Sequence, residues 1–283
     1  MTGYHLIIQN GYRGSKALAQ ICVPRIVLVA TQHPGNIGAA ARAMKTMGLN
    51  DLALVAPLRW PDSVGFDRAV GAEDLLLAAP VYPNLSAAVA DCTYVAGCTA
   101  RTRRVALQTH APAEVATQLR QYSAAGQRVA IVFGRERTGL TNEELQVCQI
   151  AIHIPTSPSF RSLNLAAAVQ IIAYELWLAQ AHSPRSAPLA PPLLANHQQL
   201  EHFYAHWQTV LDRIDFHKGR RPTAALHQLR RLFAKAHLTE REVQFLRGIL
   251  SDAQRHMDTG QPSSPASSRP NIQPIQSNPS QEQ

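Results

Sequence analysis

Cysteine pairs, long apolar runs and nucleotide-loop glycine patterns are all missing from this chain of 283 residues. The four cysteines, Cys22, Cys92, Cys98 and Cys148, form no CxxC pair and no cysteine–histidine ligand spacing. That points away from a zinc site or disulfide framework and toward reduced, partly buried thiols. No stretch approaches the roughly 20 apolar residues that cross a bilayer. The first 24 residues carry a short apolar patch without the sustained hydrophobic region and cleavage site of a secretory signal, so the expected address is cytoplasmic. No glycine-rich turn runs into Gly-Lys-Ser/Thr, which excludes a Walker loop, and the missing GxGxxG argues against a dinucleotide-dependent dehydrogenase. The 12 histidines are scattered. His202 and His206 would share a helix face, but solvated helix surface explains them better than a metal, and no metal is expected.

Hydrophobic residues make up 46% of the chain, enough for a buried core, and the formal net charge is +8. A basic chain of this kind favours a polyanionic partner, because neutralising phosphates releases condensed counterions. From Arg25 the pattern alternates between continuous apolar runs (25–30, 51–57, 78–81, 93–100, 128–134, 151–155) and helical stretches (36–48, 85–90, 112–122, from 141, and 163–181). Uninterrupted Val, Ile and Ala runs separated by helices predict an α/β domain over 25–181, with a parallel sheet covered on both faces. Residues 1–24 read as a leader. A proline-rich stretch, 182–198, reads as an extended linker. Helical periodicity over 199–257 predicts a small helical domain, with Leu200, Phe203, Tyr204, Trp207 and Leu211 on one face and Leu226, Leu229, Leu232 and Phe233 on another. That segment carries Arg213, Lys218, Arg220, Arg221, Arg230, Arg231, Lys235, Arg241 and Arg247. The Ser/Pro/Gln-rich tail, 258–283, reads as disordered.

Three segments join a strand to a polar, glycine-bearing turn and a helix start: HPGNIGAAARAMKTMGL (33–49), VFGRERTGLTNEEL (132–145) and SFRSLNLAAAVQIIAYEL (159–176). In parallel sheets ligands bind beyond the carboxyl ends of strands, where these turns fall. In the first, small residues flank Asn36 at a helix N-terminus that favours negative charge. Arg42, six residues on, offers a planar fork for phosphate or carboxylate, and both are expected to face one cleft. In the second, Glu136 lies between Arg135 and Arg137, while Thr141 and Glu144 have the spacing of a capping box. In the third, Ser162 and Asn164 precede an alanine-rich helix, with Ser162 open to a plain capping role. Together they describe a composite site for a small molecule and an anionic partner.

These runs, NIGAAARAMKTMGL, FGRERTGLTNEEL and SLNLAAAVQIIAYE, in this order and spacing, resemble the SPOUT-class RNA 2′-O-methyltransferases. The likeness is greatest to the TrmJ type, which methylates the ribose of the pyrimidine at position 32 of tRNA. The helical segment with HFYAHW, LRRLF and FLRGIL also resembles that family's C-terminal extension. The resemblance implies a deep trefoil knot at the C-terminal end of the α/β domain, a homodimer, S-adenosylmethionine as cofactor and tRNA as partner. Carried over by motif, the cofactor would be held by Cys98, Thr99, Ala100, Gly134, Ile154, Ser162, Leu163 and Asn164. Arg42 would reach the partner subunit's site and act on the ribose 2′-hydroxyl, with Asn36, Glu136, Ser162 and Asn164 completing the catalytic set. Arg161 stands where many relatives have serine. The same chemistry on ribosomal RNA, and a non-catalytic knotted RNA-binding protein, are the rival readings.

Overall fold

The computed structural model describes residues 23–100, 107–181, 192–219 and 222–259. The expected leader up to residue 22, linker residues 182–191 and the tail from 260 lie outside them. Seven parallel strands form one sheet in the order β3-β2-β1-β6-β4-β7-β5. They are β1 (Arg25–Val29), β2 (Leu52–Val55), β3 (Val81–Tyr82), β4 (Tyr94–Cys98), β5 (Thr109–His110), β6 (Val129–Phe133) and β7 (Ile150–Ile152). Every residue of β1, β2 and β6 is buried, as strands covered on both faces must be. Side chains alternate between two cores. Ile26, Leu28, Ile131 and Phe133 pack beneath one helical layer. Val27, Val29, Ala130 and Val132 pack beneath the other.

The first layer contains α1 (Pro34–Thr46), α5 (Pro112–Ala124) and α7 (Leu165–Ala181), with α7 packed on both others. The short α4 (Leu85–Ala88) and α6 (Asn142–Gln146) contribute Leu85 and Leu145 to the second. Two further helices, α2 (Ser63–Ala69) and α3 (Glu73–Ala78), follow β2. The run 78–81 is therefore a helix end followed by β3, not a single strand. Glycine permits a close approach between α1 and α2: a Cβ on Gly38 of α1 would lie 1.9 Å from the Gly65 carbonyl oxygen of α2. Gly48, with φ of +71°, follows the C-cap residue Met47 and turns the chain into β2.

The helical unit consists of α8 (His197–Arg213), α9 (Pro222–Ala236) and α10 (Glu240–Thr259). Its core is Phe203, Tyr204, Val210, Val243 and Leu250, with Phe233 edge-on to Phe203 at 5.0 Å. Leu232, expected on the inner face of α9, is 55% exposed. The end of the linker is tied down rather than extended into solvent. Gln127 Nε2 donates to the Pro192 carbonyl, Leu194 N–H donates to Gln127 Oε1, and Ala195 N–H donates to the Leu238 carbonyl. Backbone bonds from His197 to the Cys92 carbonyl (2.8 Å) and from Gln198 to the Ala90 carbonyl (3.0 Å) seat α8 on the α/β domain.

Candidate active site

The carboxyl ends of β6, β4 and β7 are neighbours in the sheet, and the chain leaving each one lines a pocket of about 560 Å³. Its walls are Cys98, Thr99 and Ala100 after β4, the loop from Gly134 to Gly139 after β6, Ile154 after β7, and Arg161, Ser162, Leu163, Leu165 and Ala168 around the start of α7. That size and mixture of apolar floor and polar loops suits a single small molecule. The loop after β6 doubles back tightly: Gly139 N–H donates to the Arg135 carbonyl at 2.8 Å. A Cβ on Gly134 would lie 2.2 Å from both the Gly139 carbonyl carbon and the Leu140 nitrogen, so only glycine permits the fold-back.

Glu136 is the hub of the polar side. Its Oε2 accepts from the Gln32 N–H at 2.9 Å, and its Oε1 accepts from the His33 N–H at 3.1 Å and from Asn36 Nδ2 at 2.9 Å. Asn164 Nδ2 then donates to Asn36 Oδ1 at 3.0 Å. Partial burial alone would raise the Glu136 pKa, but the hydrogen bonds from Asn36, Gln32 and His33 outweigh it and hold the carboxyl below its ordinary value. Three loops far apart in sequence are thus joined by one chain of hydrogen bonds. Arg135 is engaged elsewhere, gripping both Glu144 oxygens at 3.0 Å. Glu144 also closes the capping box with Thr141. Burial pushes the Cys98 thiol up to about 12, so it is a neutral wall of the pocket.

The profile of the SpoU rRNA Methylase family matches residues 24–174, more than half of the chain, and that of the TrmJ tRNA methyltransferase C-terminal domain matches 198–262. The chain belongs to the SpoU methylase family. It is 45% identical over 240 residues to the tRNA (cytidine/uridine/adenosine-2′-O-)-methyltransferase TrmJ of Pseudomonas aeruginosa, covering 82% of this chain and 93% of that one. It is 42% identical over 248 residues to the tRNA (cytidine/uridine-2′-O-)-methyltransferase TrmJ of Sodalis glossinidius, covering 86% and 94%. Among solved structures, TrmJ from Z. mobilis ZM4 superposes with a TM-score of 0.73 at 35% identity, covering 82% of this chain and all of that one. A probable methyltransferase from Bordetella pertussis gives 0.53 at 38%, covering 56% and 96%.

Within this SpoU methylase fold, the pocket gathers Cys98, Thr99, Ala100, Gly134, Glu136, Ile154, Ser162 and Leu163. Asn36 and Asn164 join it through Glu136. Asn164, not Ser162, caps α7: its Oδ1 accepts from the Ala166 and Ala167 N–H groups at 2.9 and 3.3 Å. Ser162 is exposed and takes no hydrogen-bond partner among the described residues. Arg42 does not share the Asn36 cleft. Six residues at 100° each turn it about 240° around the helix, and it lines a separate hollow with Ala39, Arg68, Ala166, Ala167 and Gln170. Arg161 lines the pocket and donates from Nε to the Pro158 carbonyl at 3.3 Å. The backbone donors of Gln32 and His33 were not legible as partners of Glu136. Nothing local in the sequence marks a donor that meets its acceptor about a hundred residues later.

Proposed function

We infer that this protein is an S-adenosylmethionine-dependent tRNA ribose 2′-O-methyltransferase. The observation that carries the reading is the single hydrogen-bonded chain Glu136–Asn36–Asn164 beside a cofactor-sized pocket, in a chain similar along most of its length to curated tRNA 2′-O-methyltransferases. The pocket fits the cofactor: Phe133, Ile154, Leu163 and Leu165 offer an apolar bed, and Glu136, Arg161 and Ser162 a polar edge. When bound, S-adenosylmethionine supplies an electrophilic methyl group on a sulfonium.

Everything else falls to the chain's own residues. A ribose hydroxyl titrates far above neutral pH, so transfer needs strong positioning of the nucleophilic oxygen. Arginine is a poor base because it is effectively always protonated. Arg42 acts instead as a clamp that holds the hydroxyl or its adjacent phosphate, with the proton leaving to that phosphate or to solvent. Arg42 lies on the opposite face of the first turn of α7 from the cofactor pocket. Leu165 and Ala168 line the pocket, whereas Ala166, Ala167 and Gln170 line the Arg42 hollow. This supports a homodimer in which Arg42 serves a cofactor held by a second copy. The segments after β4, β6 and β7 are those from which the family's trefoil knot would be tied. The target is the ribose at position 32, and the name of the Pseudomonas relative admits adenosine beside the pyrimidines.

The test is methyl transfer from labelled cofactor to total tRNA and to ribosomal RNA, followed by mapping of the methylated ribose. Label is expected in tRNA at position 32. Label confined to ribosomal RNA would overturn the substrate, and no label in either would leave the knotted RNA-binding alternative. Arg42→Ala should abolish turnover and leave cofactor affinity within about twofold; an active variant removes Arg42 from the site.

A further inference from the structure

The Arg42 hollow, of about 530 Å³, contains a second cation. Arg68, from the last turn of α2, lines it together with Arg42, and both side chains are exposed. Neither makes an ion pair or hydrogen bond with any described residue. This sets them apart from Arg25, Arg128, Arg135, Arg213 and Arg230, each of which holds a carboxylate. The floor between them is small and apolar, with Ala39 and Ala43 from α1 and Ala166 and Ala167 from α7. A single carboxylate, Asp67, stands on the rim. Two unengaged guanidinium forks over an alanine floor match the oxygens of a phosphodiester, which arginine binds in a planar, two-pronged manner.

The stem of Arg68 borders the active-site loop. Its Cγ would lie 3.4 Å from a Cβ on Gly35, so its stem runs across the turn that delivers His33 and Asn36 to Glu136. The α1–α2 approach at Gly38 and Gly65 holds α2 in that position. A phosphate gripped by Arg68 would therefore sit in the hollow that Arg42 also lines.

We propose that Arg68 is an RNA-positioning residue, gripping with Arg42 a backbone phosphate next to the ribose to be methylated. The proposal rests on the reading of the protein as a tRNA methyltransferase. It adds a contact that fixes the register of the strand without touching the reacting atoms.

The experiment compares wild type, Arg68→Gln and Arg68→Lys on unmodified tRNA, measuring affinity across a salt titration and steady-state methyl transfer. For Arg68→Gln, affinity should fall about tenfold at low salt. The slope of log K against log salt should shrink by about one, and the loss should fall on KM rather than kcat. Arg68→Lys should keep the slope, since it keeps the charge. Unchanged cofactor affinity confirms that the variants are folded. An Arg68→Gln slope and KM equal to wild type overturn the proposal alone, and a loss confined to kcat also overturns it, because the residue would then act on the chemistry. A wild-type chain that methylates no tRNA overturns the functional reading itself, and this inference with it.

Discussion

Glu136 shows how one side chain can organise a site it need not react in. Its two oxygens take two backbone donors from the loop after β1 and one side-chain donor from the first turn of α1, and this last, the Asn36 amide, is itself held by Asn164. Replacing it with glutamine keeps the shape but turns one acceptor into a donor that faces a backbone N–H. Glu136→Gln should lower stability by about 1–2 kcal/mol, as expected when a partly buried donor loses its acceptor. The effect has a pH signature. A carboxyl whose folded pKa is depressed stabilises the protein above its unfolded value, near 4.3, and loses that contribution as pH falls through the folded value. The difference in melting temperature between wild type and Glu136→Gln should therefore be full at pH 6–7 and shrink on acidification below about 4. A constant difference down to pH 3 would remove the carboxylate's charge from the account.

At the scale of elements, the site depends on backbone that only glycine allows. The loop after β6 folds back so that Gly134 lies against Gly139 and Leu140. In Gly134→Ala the new methyl runs into the Gly139–Leu140 peptide group and cannot rotate away, so the loop must open. Overpacking of this kind costs about 1–3 kcal/mol, and here the displaced segment is the pocket wall. Calorimetric titration with S-adenosylmethionine should show affinity weakened by more than about tenfold, with a lowered melting temperature; a wild-type affinity would mean the loop tolerates the shift. The parallel sheet was legible in the sequence because strands buried on both faces read as unbroken apolar runs, as RIVLV and VAIVF do. The helices α2 and α3 were not, since α2 is held by a glycine contact with α1, remote in sequence. The cap of α7 was ambiguous for a local reason. Ser162 and Asn164 are both good capping types, and only the three-dimensional start at Leu165 decides for Asn164. Likewise, the spacing suggests one cleft for Asn36 and Arg42, whereas the rotation of α1 between them sets Arg42 in another hollow.

Across the whole molecule, the basic residues divide into those that build the protein and those that face outward, a division invisible in a charge count. Arg230 belongs to the first group. It holds both Glu201 oxygens and lies 4.3 Å from the centre of the Tyr204 ring. Burial alone would lower its pKa, but the hydrogen bond and charge of Glu201 outweigh this and raise it. Arg231 and Lys235, one turn apart on the same helix, are exposed and border the cleft between α9 and the edge of the α/β domain. If the helical unit grips the tRNA, these two should carry phosphate contacts and Arg230 should not. The double variant Arg231→Gln, Lys235→Gln should keep the wild-type melting temperature and lose about two units of the salt slope for tRNA binding. Arg230→Gln should do the reverse. It should destabilise the fold by about 1–3 kcal/mol, because Glu201 would be left partly buried without its cation, while the slope stays within half a unit of wild type. A slope that falls only with Arg230 would mean that the Glu201 pair opens to admit RNA. A slope that falls with neither would place the tRNA on the hollow between α1, α2 and α7 alone.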